Sequence, residues 1–285
     1  MGTTNRLLGT GVGVVSRTWT LSRDLVRGVV TLASPQTCVC CGEWIAGVEG
    51  MFCHACRKQL DWGMSLHYCR RCGRTQALES IHEEHCGRCK HERFWNVAGL
   101  ARVGLYTPRL QNALLDLKYR GRLRNADAMA GLLAAVIRKQ SWAYEIEALV
   151  PVPMHWLRRL QRPCNHANVL ATETGKRLGV PVIPAVGRTR HGRSQVDLPS
   201  MTQRFKNVEG CFAIRAGWLD RLSWRGTSVK GRTVCIIDNL AKTGATLYEV
   251  SKVLRKAGAK RIYAAVVSRP ASPGDPVSRP GGDPW

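Results

Sequence analysis

The sequence predicts an α/β protein, a parallel sheet flanked by helices, preceded by a small cysteine-rich module. Three observations carry this. Short β-branched runs alternate with stretches of helical apolar spacing between residues 96 and 268. Four Cys-x-x-Cys pairs crowd into about fifty residues ahead of them. The apolar run "VCIIDN" then leads directly into a short loop of threonine and glycine that opens a helix. The 285 residues suffice for one full-sized domain and a smaller module.

Composition divides the chain into four regions: a basic leader at 1–34, the cysteine-rich module at 35–95, the α/β domain at 96–268 and a tail at 269–285. The first 33 residues are basic, rich in Ser and Thr, and carry one acid, Asp24. That is also the composition of a transit peptide. The apolar spacing of Trp19, Leu21, Leu25, Val26, Val29, Val30 and Leu32 predicts instead an amphipathic helix over about 16–33, packed on the next module. No run of about eighteen uninterrupted apolar residues occurs, so no transmembrane segment is predicted.

The cysteine pairs are Cys38/Cys41, Cys53/Cys56, Cys69/Cys72 and Cys86/Cys89, with eleven, twelve and thirteen residues between successive pairs. Two thiolates two residues apart can face one ion from a tight knuckle, and a second knuckle returned by a short hairpin completes a tetrahedral sulfur site. Gly42, Gly73 and Gly87 supply the positive φ such knuckles need. Sequential pairing gives two adjacent zinc ribbons, on Cys38, Cys41, Cys53 and Cys56 and on Cys69, Cys72, Cys86 and Cys89. Spacing alone also admits an interleaved, cross-braced pairing. Four thiolates leave no open coordination position, so both Zn²⁺ sites are read as structural. Cys40, His54, His85 and His91 are near enough to substitute but are read as ordinary side chains, and Cys164, Cys211 and Cys235 as buried thiols. Metal-ligand spacing in place of a disulfide framework points to a reducing cytoplasm.

Within the α/β region, "LQNALLDLKYRG" and "ADAMAGLLAAVIRKQ" are helical, while "ALVPVP", "VPVIPAV", "TVCIIDN" and "RIYAAVVS" are strands. "ATLYEVSKVLRKAGA" is a helix with Gly258 at its C-terminal cap. The tail "SRPASPGDPVSRPGGDPW" holds five prolines and too little apolar surface to offset the entropy of ordering, so disorder is expected.

The loop "LAKTGATL" after Asp238 and Asn239 places small residues and a helix N-terminus at the carboxyl end of a strand. Unpaired amides backed by the helix dipole favour a phosphate there. Thr243 and Thr246 add hydroxyls, Gly244 and Ala245 permit close approach, and Asp238 suits sugar hydroxyls. The loop is not the longer P-loop, which ends in Gly-Lys-Ser/Thr. A net charge of +23, from 43 Lys and Arg against 20 Asp and Glu, points to a polyanionic partner, although it is spread along the chain as a solvated basic surface also would be. Tryptophan and tyrosine, among them Trp156 beside Arg158 and Arg159, are available to stack bases of single-stranded DNA.

Together with the cysteines and "IIDNLAKTGATL", the segments "VPVPMHWLRRLQRPCNHA" (150–167) and "RTRHGRSQVDLPSMTQRFKNVEGCF" (188–212) resemble the ComF family, competence-associated proteins. That family joins a double zinc ribbon to a type I phosphoribosyltransferase-like domain, and the resemblance covers roughly residues 35–268. It implies that Thr243, Gly244, Ala245 and Thr246 cradle the 5′-phosphate of phosphoribosyl pyrophosphate, that Asp238 binds the ribose hydroxyls, and that Pro151 and Pro153 belong to a pyrophosphate-facing loop. Arg158, Arg159, Arg162 and Asn165 fall on the next family positions, and Arg188, Arg190, Gln195, Arg204 and Asn207 on those after.

The chain departs from the family at Asn239, in place of a second acid, and at Lys242, in place of a threonine. It departs also at Pro163 and Cys164, His166 and Gly192. Asn239 lacks the charge that helps a bound Mg²⁺ or a developing oxocarbenium ion, and Lys242 adds a positive charge at the phosphate. No catalytic residue is assigned. The resemblance implies a protein of DNA uptake and competence that binds phosphoribosyl pyrophosphate or a similar phosphate together with single-stranded DNA, with DNA-uptake or recombination proteins as partners. The other reading is an active phosphoribosyltransferase, a glycosyltransferase of nucleoside or nucleotide metabolism using Mg²⁺.

Overall fold

A computed structural model describes residues 36–45, 50–76, 86, 89, 96–160, 162, 164–190, 200–215 and 228–271. The leader helix expected at 16–33 and residues 272–285 of the tail lie outside the described residues. Ser268 and Arg269, expected to be disordered with the tail, instead close the last strand of the sheet fully buried, because their backbone continues the parallel ladder. The elements are α1 (His54–Ser65), β1 (Gly99–Leu105), α2 (Pro108–Leu115), α3 (Leu123–Arg138), β2 (Ala148–Pro151), α4 (Trp156–Leu160), α5 (His166–Leu178), β3 (Val186–Arg188), α6 (Met201–Val208), β4 (Phe212–Ile214), β5 (Thr233–Leu240), α7 (Ala245–Lys256) and β6 (Arg261–Arg269). β1, β6, β5 and β2 pair in that order as a four-stranded sheet, every pairing parallel, while β3 and β4 form a separate antiparallel hairpin.

The α/β class expected from the sequence is the one observed. Parallel strands need crossover connections and cover on both faces, and the buried faces of β5 alternate accordingly. Cys235 and Ile237 lie with Ala101, Val103, Ala265, Leu133 and Leu170 on one side, under α3 and α5. Val234 and Ile236 lie with Leu100, Val150, Ala264, Val266 and Val250 on the other, under α7. Gly258 takes φ +86° just past α7, where Ala259 N–H donates to Leu254 O, the C-terminal cap predicted for this helix.

Two expectations are corrected. "VPVIPAV" is not one strand: Val182 makes an isolated bridge to Leu149, and Val186 begins β3. Pro181 and Pro184 remove two of the ladder donors a longer strand would need. Conversely "GLARVGL", unremarked as a strand because glycine and arginine interrupt it, is β1, buried along all seven residues.

Among the described residues, the buried side chains of the cysteine module pack into the cores on the two faces of the sheet. Cys38, Val39, Cys40, Ile45, Cys56 and Leu60 pack into the core beneath α3. Cys69, Cys72 and Cys89 pack into the core on the opposite face, with Leu100 and Val97. The two metal-type clusters thus lie on opposite faces of the sheet at its β1 edge. Leu100 N–H donates to Arg70 O at 2.6 Å, tying the second cluster to that edge strand.

Candidate functional site

Both cysteine clusters are assembled by sequential pairing. In each quartet, Cys38, Cys41, Cys53 and Cys56 or Cys69, Cys72, Cys86 and Cys89, the four Sγ atoms lie within 4.8 Å of one another. Nearest approaches of 3.4 Å (Cys69 to Cys89), 3.5 Å (Cys72 to Cys86) and 3.6 Å (Cys41 to Cys53, Cys86 to Cys89) approximate the ~3.8 Å between corners of a tetrahedron with metal–sulfur bonds of ~2.3 Å. No cysteine among the described residues is in a disulfide. The donor chemistry fits two zinc ions.

The leading knuckles are alike in detail. Cys38 N–H donates to Glu43 O and Cys69 N–H to Arg74 O, while Gly42 and Gly73 donate back to Cys38 O and Cys69 O. Gly73 has φ +74°, and a Cβ there would stand 2.6 Å from Leu100 Cδ2, so both its backbone and its packing require glycine. The second half of the first quartet differs from the expected hairpin knuckle: Cys53 is the N-cap of α1 and Cys56 lies in its first turn. A helical turn spaces i and i+3 side chains on one face as well as a knuckle does.

Four thiolates around Zn²⁺ carry two net negative charges, and each cluster has a guanidinium beside it. Arg109 donates to Cys56 Sγ at 3.4 Å, and the buried Arg269 donates to Cys72 O. Cys40 stands outside the quartets, and burial pushes its thiol up to about 12. His54 is exposed, and His85 and His91 lie outside the described residues. Cys211 and Cys235 are buried as expected, but Cys164 is only half-buried.

The second site is at the carboxyl end of β5. Asp238 and Asn239 end the strand, both buried, and Asp238 Oδ1 accepts the N–H of Asn239 at 2.7 Å. The chain then turns through Lys242 and Thr243, and Gly244 at φ +78° is the N-cap of α7, with no side-chain cap. Thr243 Oγ1 accepts the Ala245 N–H at 3.4 Å. The amides of Thr243, Gly244, Thr246 and Leu247 donate to no acceptor among the described residues. Four amides grouped at the positive end of a twelve-residue helix form an anion seat.

Beside Asn239, at the strand end, is the N-terminus of α5. Asn165 is its N-cap but makes no capping bond, and its buried Oδ1 has no partner. His166 is buried against Asn239, and burial first, then the charges of Lys118 and Arg162, hold its imidazole down at about 3 despite the bond its ring donates to the Asn239 side chain. Asp238 moves the other way, from 3.8 to about 6: burial raises it, while the Asn239 amide and Lys118 partly oppose. Lys118 belongs to a π-helical turn, Asp116–Arg120, that continues α2 and ends at Gly121 in the left-handed region. Its neighbour Tyr119 is 58% exposed and lies beneath the Arg162 guanidinium at 5.3 Å.

The structure therefore gathers Asp238, Asn239, Lys242, Thr243, Gly244, Ala245 and Thr246 in one loop, and brings Asn165, His166 and Arg162 to the same strand end. Lys118 and Tyr119 were missed by sequence reasoning; the helical spacing of "LQNALLDLKYRG" hides the wider π-turn that re-aims them. Arg188 and Arg190 are engaged along the hairpin instead, Arg188 over the Phe212 ring at 5.5 Å and Arg190 donating to Glu209 O at 2.9 Å. Arg204 and Asn207 are half-buried on α6. Gln195, Gly192 and Pro163 lie outside the described residues, as does the side chain of Arg158. Pro151 ends β2 and Pro153 follows it, ahead of α4, where Trp156 and Leu160 are 62% and 76% exposed beside exposed Arg159. Trp156 is a surface residue, not a core one.

Residues 29–90 match a family model described as a double zinc ribbon domain. The chain is 26% identical over 230 residues to competence protein F of Haemophilus influenzae, covering 79% of this chain and 93% of that protein. It is likewise 26% identical over 236 residues to the DNA utilization protein YhgH of Salmonella typhimurium, covering 81% and 96%. These matches bear out the resemblance to the ComF family drawn from the motifs. Among solved structures, a purine phosphoribosyltransferase from Pyrococcus horikoshii aligns over 50% of this chain and 71% of its own at 19% identity and TM-score 0.30. No helix among the described residues is long and apolar enough to cross a membrane.

Proposed function

We propose that the seat at the start of α7 binds the phosphate of phosphoribosyl pyrophosphate or a similar phosphate, and that the chain binds single-stranded DNA in DNA uptake or competence. The group of unpaired amides at Thr243, Gly244, Thr246 and Leu247 carries the first part. Asp238 beside it supplies an acceptor for sugar hydroxyls. The relatives named for competence and DNA utilization supply the setting, and DNA-uptake or recombination proteins are the partners that setting suggests.

A titration of phosphoribosyl pyrophosphate into the full chain tests the seat. Wild type is expected to bind, and Thr243→Ala to bind roughly ten- to a hundredfold more weakly, the loss of one hydroxyl donated to a charged group. Equal affinities for the two proteins would refute the part given to the Thr243 hydroxyl, and no binding to wild type would refute the seat.

For nucleic acid, the supporting observations are the net charge of +23 and the exposed Trp156 next to Arg159. Filter binding of single-stranded DNA is expected to weaken steeply with salt, the slope growing by ~0.7 per phosphate contacted. Trp156→Ala is expected to lose about 1–3 kcal/mol of binding through lost stacking. Retention that does not change with salt removes this reading.

A further inference from the structure

Three buried polar atoms have no partner: Asn165 Oδ1 and His166 Nδ1 at the start of α5, and Asn239 Nδ2 at the strand end beside His166. His166 and Asn239 are bonded to each other. Since Nδ1 and Nδ2 are both unused, the ring's Nε2–H is the donor and Asn239 Oδ1 the acceptor. The neutral ring then offers Nδ1 as an acceptor, Asn239 offers an N–H₂, and Asn165 offers a carbonyl oxygen. An acceptor, a donor and an acceptor side by side match a pair of sugar hydroxyls, each of which both gives and receives a hydrogen bond.

They do not match a hydrated divalent cation. Mg²⁺ takes oxygen ligands, carboxylates above all, in octahedral geometry. Here the acidic partner of Asp238 is a carboxamide whose one oxygen is already engaged. The local charge also opposes a cation, since Lys118 and Arg162 both act on His166, Lys118 acts on Asp238 as well, and Lys242 sits in the loop itself. Mg²⁺ therefore does not fit this donor set as a resident ion.

We propose that the strand end binds a phosphorylated pentose without a divalent cation: Asp238, Asn239, His166 and Asn165 take the vicinal hydroxyls, while Lys118 and Arg162 supply the positive charge a metal would bring. This rests on the phosphate seat described above. Lys118 is the specificity-determining residue of the arrangement, because from its π-turn its charge acts on both Asp238 and His166.

The test is calorimetric titration of ribose 5-phosphate and of phosphoribosyl pyrophosphate into the full zinc-loaded chain, in magnesium-free buffer and in magnesium buffer. Wild type is expected to bind each within about twofold in the two buffers. Lys118→Gln is expected to lose tenfold or more without magnesium and to regain part of it when magnesium is added. Asn239→Asp, which restores a second carboxylate, is expected to make binding magnesium-dependent. Wild-type binding that needs magnesium by tenfold or more overturns the cation-free site while leaving the phosphate seat standing. The absence of binding in both buffers overturns the seat and the inference together. A Lys118→Gln protein that binds like wild type without magnesium also overturns the inference, and since Lys118 is half-buried on a surface turn, that variant is expected to fold.

Discussion

Stripping zinc from the full chain is expected to unfold the α/β domain along with the cysteine module, in one transition. Each quartet holds four sulfurs within 4.8 Å of one another, a placement that suits a bound ion. For structural zinc the binding free energy is folding free energy, ~10–16 kcal/mol per ion. A domain's entire stability is ~5–15 kcal/mol. The two quartets share their packing with opposite faces of the sheet, so neither can open without exposing Leu100 and Val97, or Ala101 and Val103. Loss of even ~5 kcal/mol corresponds to a fall in Tm of roughly 10–20 °C for a domain of this size.

Cys72→Ser alone should have much of this effect, because Cys72 is fully buried and its carbonyl receives Arg269. Elemental analysis is expected to give about two zinc ions per chain. Circular dichroism and calorimetry before and after chelation decide the matter. A chelated protein with an unchanged near-ultraviolet spectrum and Tm would show that the α/β core stands without its clusters.

Asp238→Asn is expected to stabilise the protein at neutral pH while abolishing binding of the phosphorylated sugar. Burial lifts this carboxyl from 3.8 to about 6, so the folded protein holds its proton more tightly than the unfolded chain does. A raised folded value means that the stabilising contribution is complete below pH 3.8, declines as pH rises, and is gone above about 6. The displacement corresponds to ~3 kcal/mol by pH 7. A neutral isostere escapes that cost and still accepts the Asn239 N–H. The variant should therefore exceed wild type by up to ~3 kcal/mol at pH 7.5, with the difference disappearing below pH 4. Urea unfolding at the two pH values measures it. A difference that is constant with pH, or a variant weaker at pH 7.5, would contradict the assignment of a buried, ligand-facing carboxylate. A destabilising group kept at a site is what a stability–function trade-off looks like.

The cysteine quartets could be read in advance because the chemistry of a knuckle depends on residues two apart, and local spacing is what a sequence displays directly. The seat before α7 was legible for the same reason: strand end, Thr243, Gly244 and helix start are contiguous. β1 was harder to read, since Gly99, Arg102 and Gly104 carry no period-two signal, and its burial comes from clusters contributed by earlier parts of the chain. The strand expected over 180–186 failed at its prolines, where local apolarity outweighed the missing donors.

From its residues alone the chain specified its class, its eight sulfur ligands and a phosphate-type loop, because each depends on neighbours within a turn or a knuckle. Only the folded molecule decided which cysteines come together, that the two clusters clasp opposite faces of one sheet, and that His166 meets Asn239 while the charge of Lys118 acts on Asp238. Those relations join residues far apart along the chain, and the packing that brings them together leaves no trace in local spacing.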